Sequence, residues 1–211
     1  MGISCVFSVL LSVYRIYHTH SIIYGFFWWN IFLAFIPFCI STLLYIRAER
    51  AGIHGIFLIF TLGIWLLFIP NSPYIITDLL HLRERPGMPF WFDVLMSVSF
   101  AWNGLMLGLL SLLDIQQIIS ERINKIAGWL FAAFAICLGS FGIYLGRFQR
   151  WNSWDIITNP FSLAHDIVHH IIHPISHPRP LAVTILFSVF IGITYLMMKL
   201  LTNGFAFEKK G

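Results

Sequence analysis

The sequence predicts an all-α fold: a polytopic membrane helix bundle of five or six transmembrane helices, with amphipathic helices at the interface. Three observations predict it. Of 211 residues, 58% are hydrophobic and only 10% are charged, whereas an ordinary soluble domain is about 25% charged. A soluble fold of this length has no interior large enough for that apolar surface, so lipid is the solvent. Apolar stretches of about the 20 residues that cross a hydrocarbon core recur along the chain. The ends of these stretches carry Tyr45, Trp91, Trp129, Tyr144 and Trp151, residue types that settle at headgroup level. Backbone groups in lipid satisfy one another within a segment, so each stretch is a helix. Length allows one domain, 1–211.

Taken in order, residues 2–14 are apolar but short, with no Lys or Arg before them as a signal peptide requires. They make the sixth span where six are counted. The five strong spans are 22–46, 53–69, 94–113, 127–146 and 181–201. Residues 47–52 and 114–126 read as simple charged turns, while 70–92 and 147–180 are longer and more polar. Counting passages puts these two long connections on the same face, X. Lys and Arg are nearly balanced between the two faces, so the positive-inside rule orients the chain weakly. If the arginines of face X serve a site rather than topology, X is the outer face. Cys5, Cys39 and Cys137 all lie in apolar runs, which argues against disulfides and zinc. The net charge of +4 is scattered, a pattern for lipid headgroups rather than nucleic acid.

Four motifs carry chemistry. In Pro70–His81 the two prolines stop the preceding span. Ser72 then stands at the cap position of a new helix with Pro73 following. On that helix Tyr74, Asp78, His81 and Arg85 share a face, a set able to do acid–base work or hold an anion. Gly146–Asp155 places Arg147 and Arg150 just beyond a span, between aromatic residues, which suits a phosphate or carboxylate and equally suits snorkelling. Asp93 begins a stripe of small residues with Ser97, Ala101, Gly104, Gly108 and Ser111, and Gly128 to Gly146 repeats the pattern on the next span. Such stripes let helices approach closely, and the spans 94–113 and 127–146 are expected to meet along them. Lastly, His165, His169 and His173 recur every four residues on the polar side of an amphipathic segment, 162–173. Without a third ligand and a base, this is a titratable face and not a zinc site. No metal and no cofactor are expected. Phosphate-cradling loops, Gly-x-Ser-x-Gly and dinucleotide fingerprints are absent from the sequence.

The strings PNSPYIITDLLHL, WFDVLMSVSFAWNGLMLGLLSL and GIYLGRFQRWNSWD, in that order, resemble a bacterial integral membrane family, domain of unknown function 1361. The resemblance runs from about Asn30 to Asp155. It implies a multi-pass protein of the bacterial cytoplasmic membrane and brings no accepted catalytic residues.

The functional expectation combines the elements of face X. Asp78 and His81 are the catalytic candidates. Asn71, Tyr74, Asp93, Arg147, Arg150, Asn152 and Asp155 are the ligand-binding candidates. Together they would form one interfacial pocket for an anionic headgroup or a lipid-linked ligand, with membrane lipid as the constant partner. The alternatives are a non-catalytic assembly partner, paired with a second copy or another membrane protein, and a small transporter or channel. Whether the chain is an enzyme is left open.

Overall fold

The computed structural model describes residues 1–52, 54–172 and 178–208. The regular elements among these are helical, as the composition requires. Five helical segments are long and apolar enough to cross a membrane: Phe26–Arg50, Gly55–His81, Phe90–Arg122, Lys125–Phe148 and Arg179–Thr202. The chain divides into two compact units, Met1–Asp114 and Ile115–Gly211.

The first unit holds α1 (Gly2–Thr19), α2 (Phe26–Ala51), α3 (Gly55–Phe68), α4 (Asn71–Tyr74), a 3₁₀ segment (Ile75–His81) and most of α5 (Phe90–Arg122). Helix α1 buries Ser8, Ser12 and Arg15, spaced along one helical face. That face meets α5: Asn103 Nδ2 donates to Ser8 Oγ at 2.7 Å and to the Ser4 carbonyl at 3.1 Å. Because Ser4 pairs high on α5 and Arg15 pairs at its start, α1 and α5 run antiparallel.

Helix α2 contains Pro37, which removes one backbone hydrogen bond and crowds the preceding turn. Serine hydroxyls gather on the carbonyls around it. Ser72 donates to Ala34, Ser111 to Pro37 and Ser41 to Phe38, at 3.2, 2.9 and 3.0 Å. The carbonyl that loses its donor to Pro37 is that of Leu33, so the Ser72 and Ser111 bonds tie α4 and α5 to this stretch of α2 rather than replace the missing one.

The sequence reading ends the second strong span at residue 69, whereas the structure continues it to His81. Helix α3 has 14 residues, about 21 Å at 1.5 Å each, short of the ~30 Å hydrocarbon core. Ile69 and Pro70 keep right-handed helical angles. One α-turn and the 3₁₀ run then complete the passage antiparallel to α2. Its successive contacts descend α2 in order: Phe57 beneath the Arg47 guanidinium, Ser72 at Ala34, Asp78 at Asn30 and His81 at Phe26. Pro70 and Pro73 lack an N–H, but their fixed φ is a helical one. They thin the hydrogen-bond ladder without turning the chain. Ser72 is therefore not the cap; Pro70 stands there, and the Ser72 hydroxyl serves α2.

The core of this unit joins Tyr24, Phe27, Ile31, Ala34, Ile75, Met96, Phe100 and Leu107, with Phe27 and Phe100 stacked at 5.0 Å. The small stripe of α5 makes room for α4. A Cβ on Gly104 would stand 2.6 Å from the Ser72 carbonyl oxygen, and one on Gly108 2.8 Å from Ser72 Cβ.

The second unit holds the last turns of α5, α6 (Lys125–Phe148), α7 (Asp155–Thr158), α8 (Pro160–Ile172) and α9 (Pro178–Glu208). The expected turn 114–126 is mostly helix, because α5 runs to Arg122 and Asn124 already caps α6, accepting from Ala127 N at 2.7 Å. Helix α6 buries Gly128, Ala132, Ala135, Gly139 and Ile143 on one face and packs along α9. Tyr195 Oη and Lys199 Nζ of α9 both donate to Gln116 Oε1, at 2.6 and 2.7 Å. Helix α8 covers the expected amphipathic segment as far as Ile172; His173 and His177 lie outside the described residues.

Candidate functional site

The end of α1, the start of α2, the end of the 3₁₀ segment and the start of α5 come to one end of the first unit. An ion pair anchors it. Arg15 Nε lies 2.6 Å from Asp93 Oδ1 and Arg15 Nη2 lies 3.2 Å from Oδ2, with both side chains 2% exposed. The paired geometry uses the planar guanidinium fork in full. Thr19 Oγ1 receives a third donation, from Nη1, at 3.4 Å.

Beside this pair stands Tyr24, 5% exposed. The Arg15 guanidinium lies 4.4 Å from its ring centroid and that of Arg85 lies 5.7 Å from it. Arg85 comes from the loop after the 3₁₀ segment. That loop turns at Gly87, whose φ of 90° suits glycine, and passes against Thr19. Arg85 also lines a depression of about 400 Å³ with Glu84, Pro86, Met88 and Phe90. Two buried polar atoms here make no hydrogen bond among the described residues, Tyr24 Oη and Arg85 Nε. Such orphans are uncommon and call for an explanation.

The candidates of the first unit are distributed as follows. Asp78 is buried, and its Oδ2 accepts from Asn30 Nδ2 at 2.6 Å. In a 3₁₀ run residues three apart eclipse, so Ile75, Asp78 and His81 form one row. His81 ends that row exposed, its ring edge-on to Phe26 at 6.1 Å. Asn71 donates to the Phe68 carbonyl at 3.0 Å, and the Tyr74 carbonyl accepts from Thr77 at 2.7 Å. Asp93 is held by Arg15, a residue that the sequence reading leaves outside the site.

The profile of a family described as Protein of unknown function (DUF1361) matches residues 29–194. The chain belongs to the DUF1361 family. Neither the curated proteins nor the solved structures contain a match to it. Asn30, Asp78, Arg85 and Asp93 fall inside the DUF1361 match, while Arg15 and Tyr24 precede it.

The second unit of this DUF1361 protein carries the other four candidates. Arg147 lies in the last turn of α6. Arg150 is exposed with a left-handed φ of 61°, and the Trp151 N–H returns to the Leu145 carbonyl at 3.2 Å. That closure is one residue wider than the six-residue one with which helices commonly end, and it shares the left-handed residue just past the cap, a position usually held by glycine. Asp155 Oδ2 accepts from the Asn152 backbone N–H at 2.7 Å and from its side chain at 3.3 Å, and Oδ1 accepts from Thr158 at 3.0 Å. The Asn152 N–H chiefly, then the Thr158 and Asn152 side chains, hold the Asp155 carboxyl below its ordinary range. Asn152 and Asp155 thus close a local turn on each other, and Trp151 Nε1 ties that turn to Asp166 of α8 at 3.0 Å.

Arg15 is legible through a signal that the reading above does not use, whereas Tyr24 has none. Ser4, Ser8, Ser12 and Arg15 repeat at helical spacing in an otherwise apolar segment. A polar stripe ending in an arginine asks for a polar partner on a neighbouring helix.

Proposed function

We propose that the protein is a multi-pass integral protein of the bacterial cytoplasmic membrane that holds an anionic group, a lipid headgroup or a lipid-linked ligand. The ligand would lie at the end of the first unit where α1, α2, the 3₁₀ segment and α5 meet. One observation carries this reading. Two guanidinium groups lie by one tyrosine ring, and the buried carboxylate beside them is already taken by Arg15. Arg85 is left with cation–π attraction as its only described interaction, and a half-buried arginine at a membrane edge is costly without an anion. Asp78 and His81, three residues apart on the same row, remain the acid–base candidates should the ligand be processed there.

The test is thermal stability of the purified protein in phosphatidylcholine nanodiscs with rising phosphatidylglycerol. A ligand that binds only the folded state stabilises it by about 2.7 kcal/mol at a hundred times its Kd. The transition should rise with anionic lipid, and rise less in an Arg83→Gln/Arg85→Gln variant, which also removes the exposed arginine two residues before Arg85 on the same loop. An unchanged transition across compositions would refute the reading.

A second reading, transport of a small ion, is favoured by a different observation. Asp78 is buried on a passage that keeps its direction but whose hydrogen-bond ladder is interrupted at Pro70 and Pro73, and transporters place ionisable groups on discontinuous helices. Proteoliposomes whose ion flux is abolished by Asp78→Asn would put this reading ahead; absence of flux in the unaltered protein would remove it.

A further inference from the structure

We infer that Tyr24 and Arg85 form a binding site for a phosphate-type anion, the Tyr24 hydroxyl and the Arg85 guanidinium acting as its donors. The inference rests on the anionic-ligand reading and gives it a ligand class and two residues outside the sequence-derived candidate set. Three observations converge. Arg85 has no ion pair among the described residues, and it lines the depression. Its Nε is closed to water and unbonded. The Tyr24 hydroxyl is closed to water and unbonded on a side chain 5% exposed.

A buried hydroxyl without a partner destabilises a fold, and phenylalanine would fill the same volume without that cost. Glu84 lines the same depression as Arg85 but forms no ion pair with it among the described residues. The missing element is therefore an acceptor with negative charge. A phosphate offers three or four oxygens in a tetrahedron, enough to take a phenol and the guanidinium fork at once, and arginine is the side chain suited to such a pairing. A carboxylate's two oxygens can each accept twice, but all its acceptor sites lie in one plane, so a phenol that approaches out of the plane of the fork is met better by a tetrahedral phosphate. The phosphate could belong to a lipid headgroup or be free in solution; the donors would be the same.

The experiment uses the full chain in phosphatidylcholine nanodiscs at constant ionic strength. Apparent Kd is read from thermal shifts with two probes, phosphatidic acid in the disc and inorganic phosphate in the buffer, and with acetate as the carboxylate control. One charged hydrogen bond corresponds to about tenfold in affinity. Tyr24→Phe should weaken phosphate-type binding about tenfold while the ligand-free transition stays or rises. Arg85→Lys, which keeps the charge and loses the fork, should weaken it to a similar extent and gives an independent arm. Binding of phosphatidic acid alone assigns the site to a headgroup, and competition by inorganic phosphate assigns it to a free phosphate; either supports the inference. Unchanged binding in Tyr24→Phe, with loss only in Arg83→Gln/Arg85→Gln, would end the Tyr24 site and leave the headgroup reading standing. Acetate binding as tightly as phosphate would overturn the ligand class. Failure of the unaltered protein to respond to phosphatidic acid, phosphatidylglycerol or phosphate would end both.

Discussion

Replacing Asp93 by asparagine keeps the side-chain volume and removes the charge that faces Arg15 Nε at 2.6 Å. Two routes give the size of the effect. With an effective dielectric of about 20 and roughly 4 Å between charge centres, the lost Coulomb attraction is about 4 kcal/mol. Breaking a buried pair by removing one partner costs about 3–5 kcal/mol in measured systems, and both side chains here are 2% exposed, so the full range applies. The asparagine Oδ1 still accepts from Arg15, which retains a part, about 1 kcal/mol; the contact of Arg15 with Tyr24 at 4.4 Å is present before and after and leaves the difference unchanged. The net expectation is a loss of roughly 2–4 kcal/mol. For a chain of this length about 2–4 °C of transition temperature corresponds to each kcal/mol, so Asp93→Asn should melt roughly 5–15 °C lower in detergent, followed by tryptophan fluorescence. The paired substitution Arg15→Met with Asp93→Leu removes both charges and should recover most of that loss, because the ion pair's desolvation disappears with it. A single variant within 2 °C of the parent, or a double variant as unstable as the single, would refute the argument that the charges depend on each other.

Three further expectations follow from named contacts. Gly104→Ala drives a Cβ to 2.6 Å from the Ser72 carbonyl oxygen and should destabilise by about 1–3 kcal/mol; Gly63→Ala, with nothing within 4 Å, should be neutral or stabilising in the same melt, and equal behaviour would contradict the packing described. Asn30→Ala removes the 2.6 Å donor to buried Asp78 and should lower stability by about 1–3 kcal/mol, against no change if that bond is dispensable. The Asp155 carboxyl, held low by the Asn152 N–H, stabilises its turn above the ordinary carboxylate range and loses that contribution as pH falls through its depressed value; carboxyl NMR should place its midpoint below that of a free aspartate, and Asn152→Pro, which deletes the N–H, should bring it back up.

The five long apolar helices are legible because long runs of apolar residues free of charge already mark their extent. The passage 55–81 runs past the end that its prolines suggest, because Pro70 keeps a helical φ and the chain continues through it. The stripe of Gly104 and Gly108 marks a close approach, but the partner expected for it is the small stripe of 127–146, and the neighbour at both glycines is the turn at Ser72, while α6 packs along α9. Asp78 was legible as a polar residue near a span and not as one bonded to Asn30, because that bond depends on the 3₁₀ row descending α2. Arg15 was missed as a site residue because it sits in a segment read mainly for its apolar content. Its pairing with Asp93 spans 78 residues, a separation at which sequence carries no register.

That separation has a consequence for how the chain is made. Arg15 leaves the ribosome on the first helix and Asp93 on a much later one, 78 residues on. At about 5–20 residues per second, the arginine waits roughly 4–16 s for its counter-ion. During that interval α1 carries an uncompensated charge near its C-terminal end, costly in hydrocarbon and tolerated where the side chain reaches the headgroups. Helix α1 is therefore expected to enter the bilayer late or shallowly, held at the headgroups by Arg15, and to seat only once α5 has arrived. Arrested nascent chains ending before and after residue 93 would differ in the membrane protection of α1, so the ion pair sets an order of assembly as well as a position.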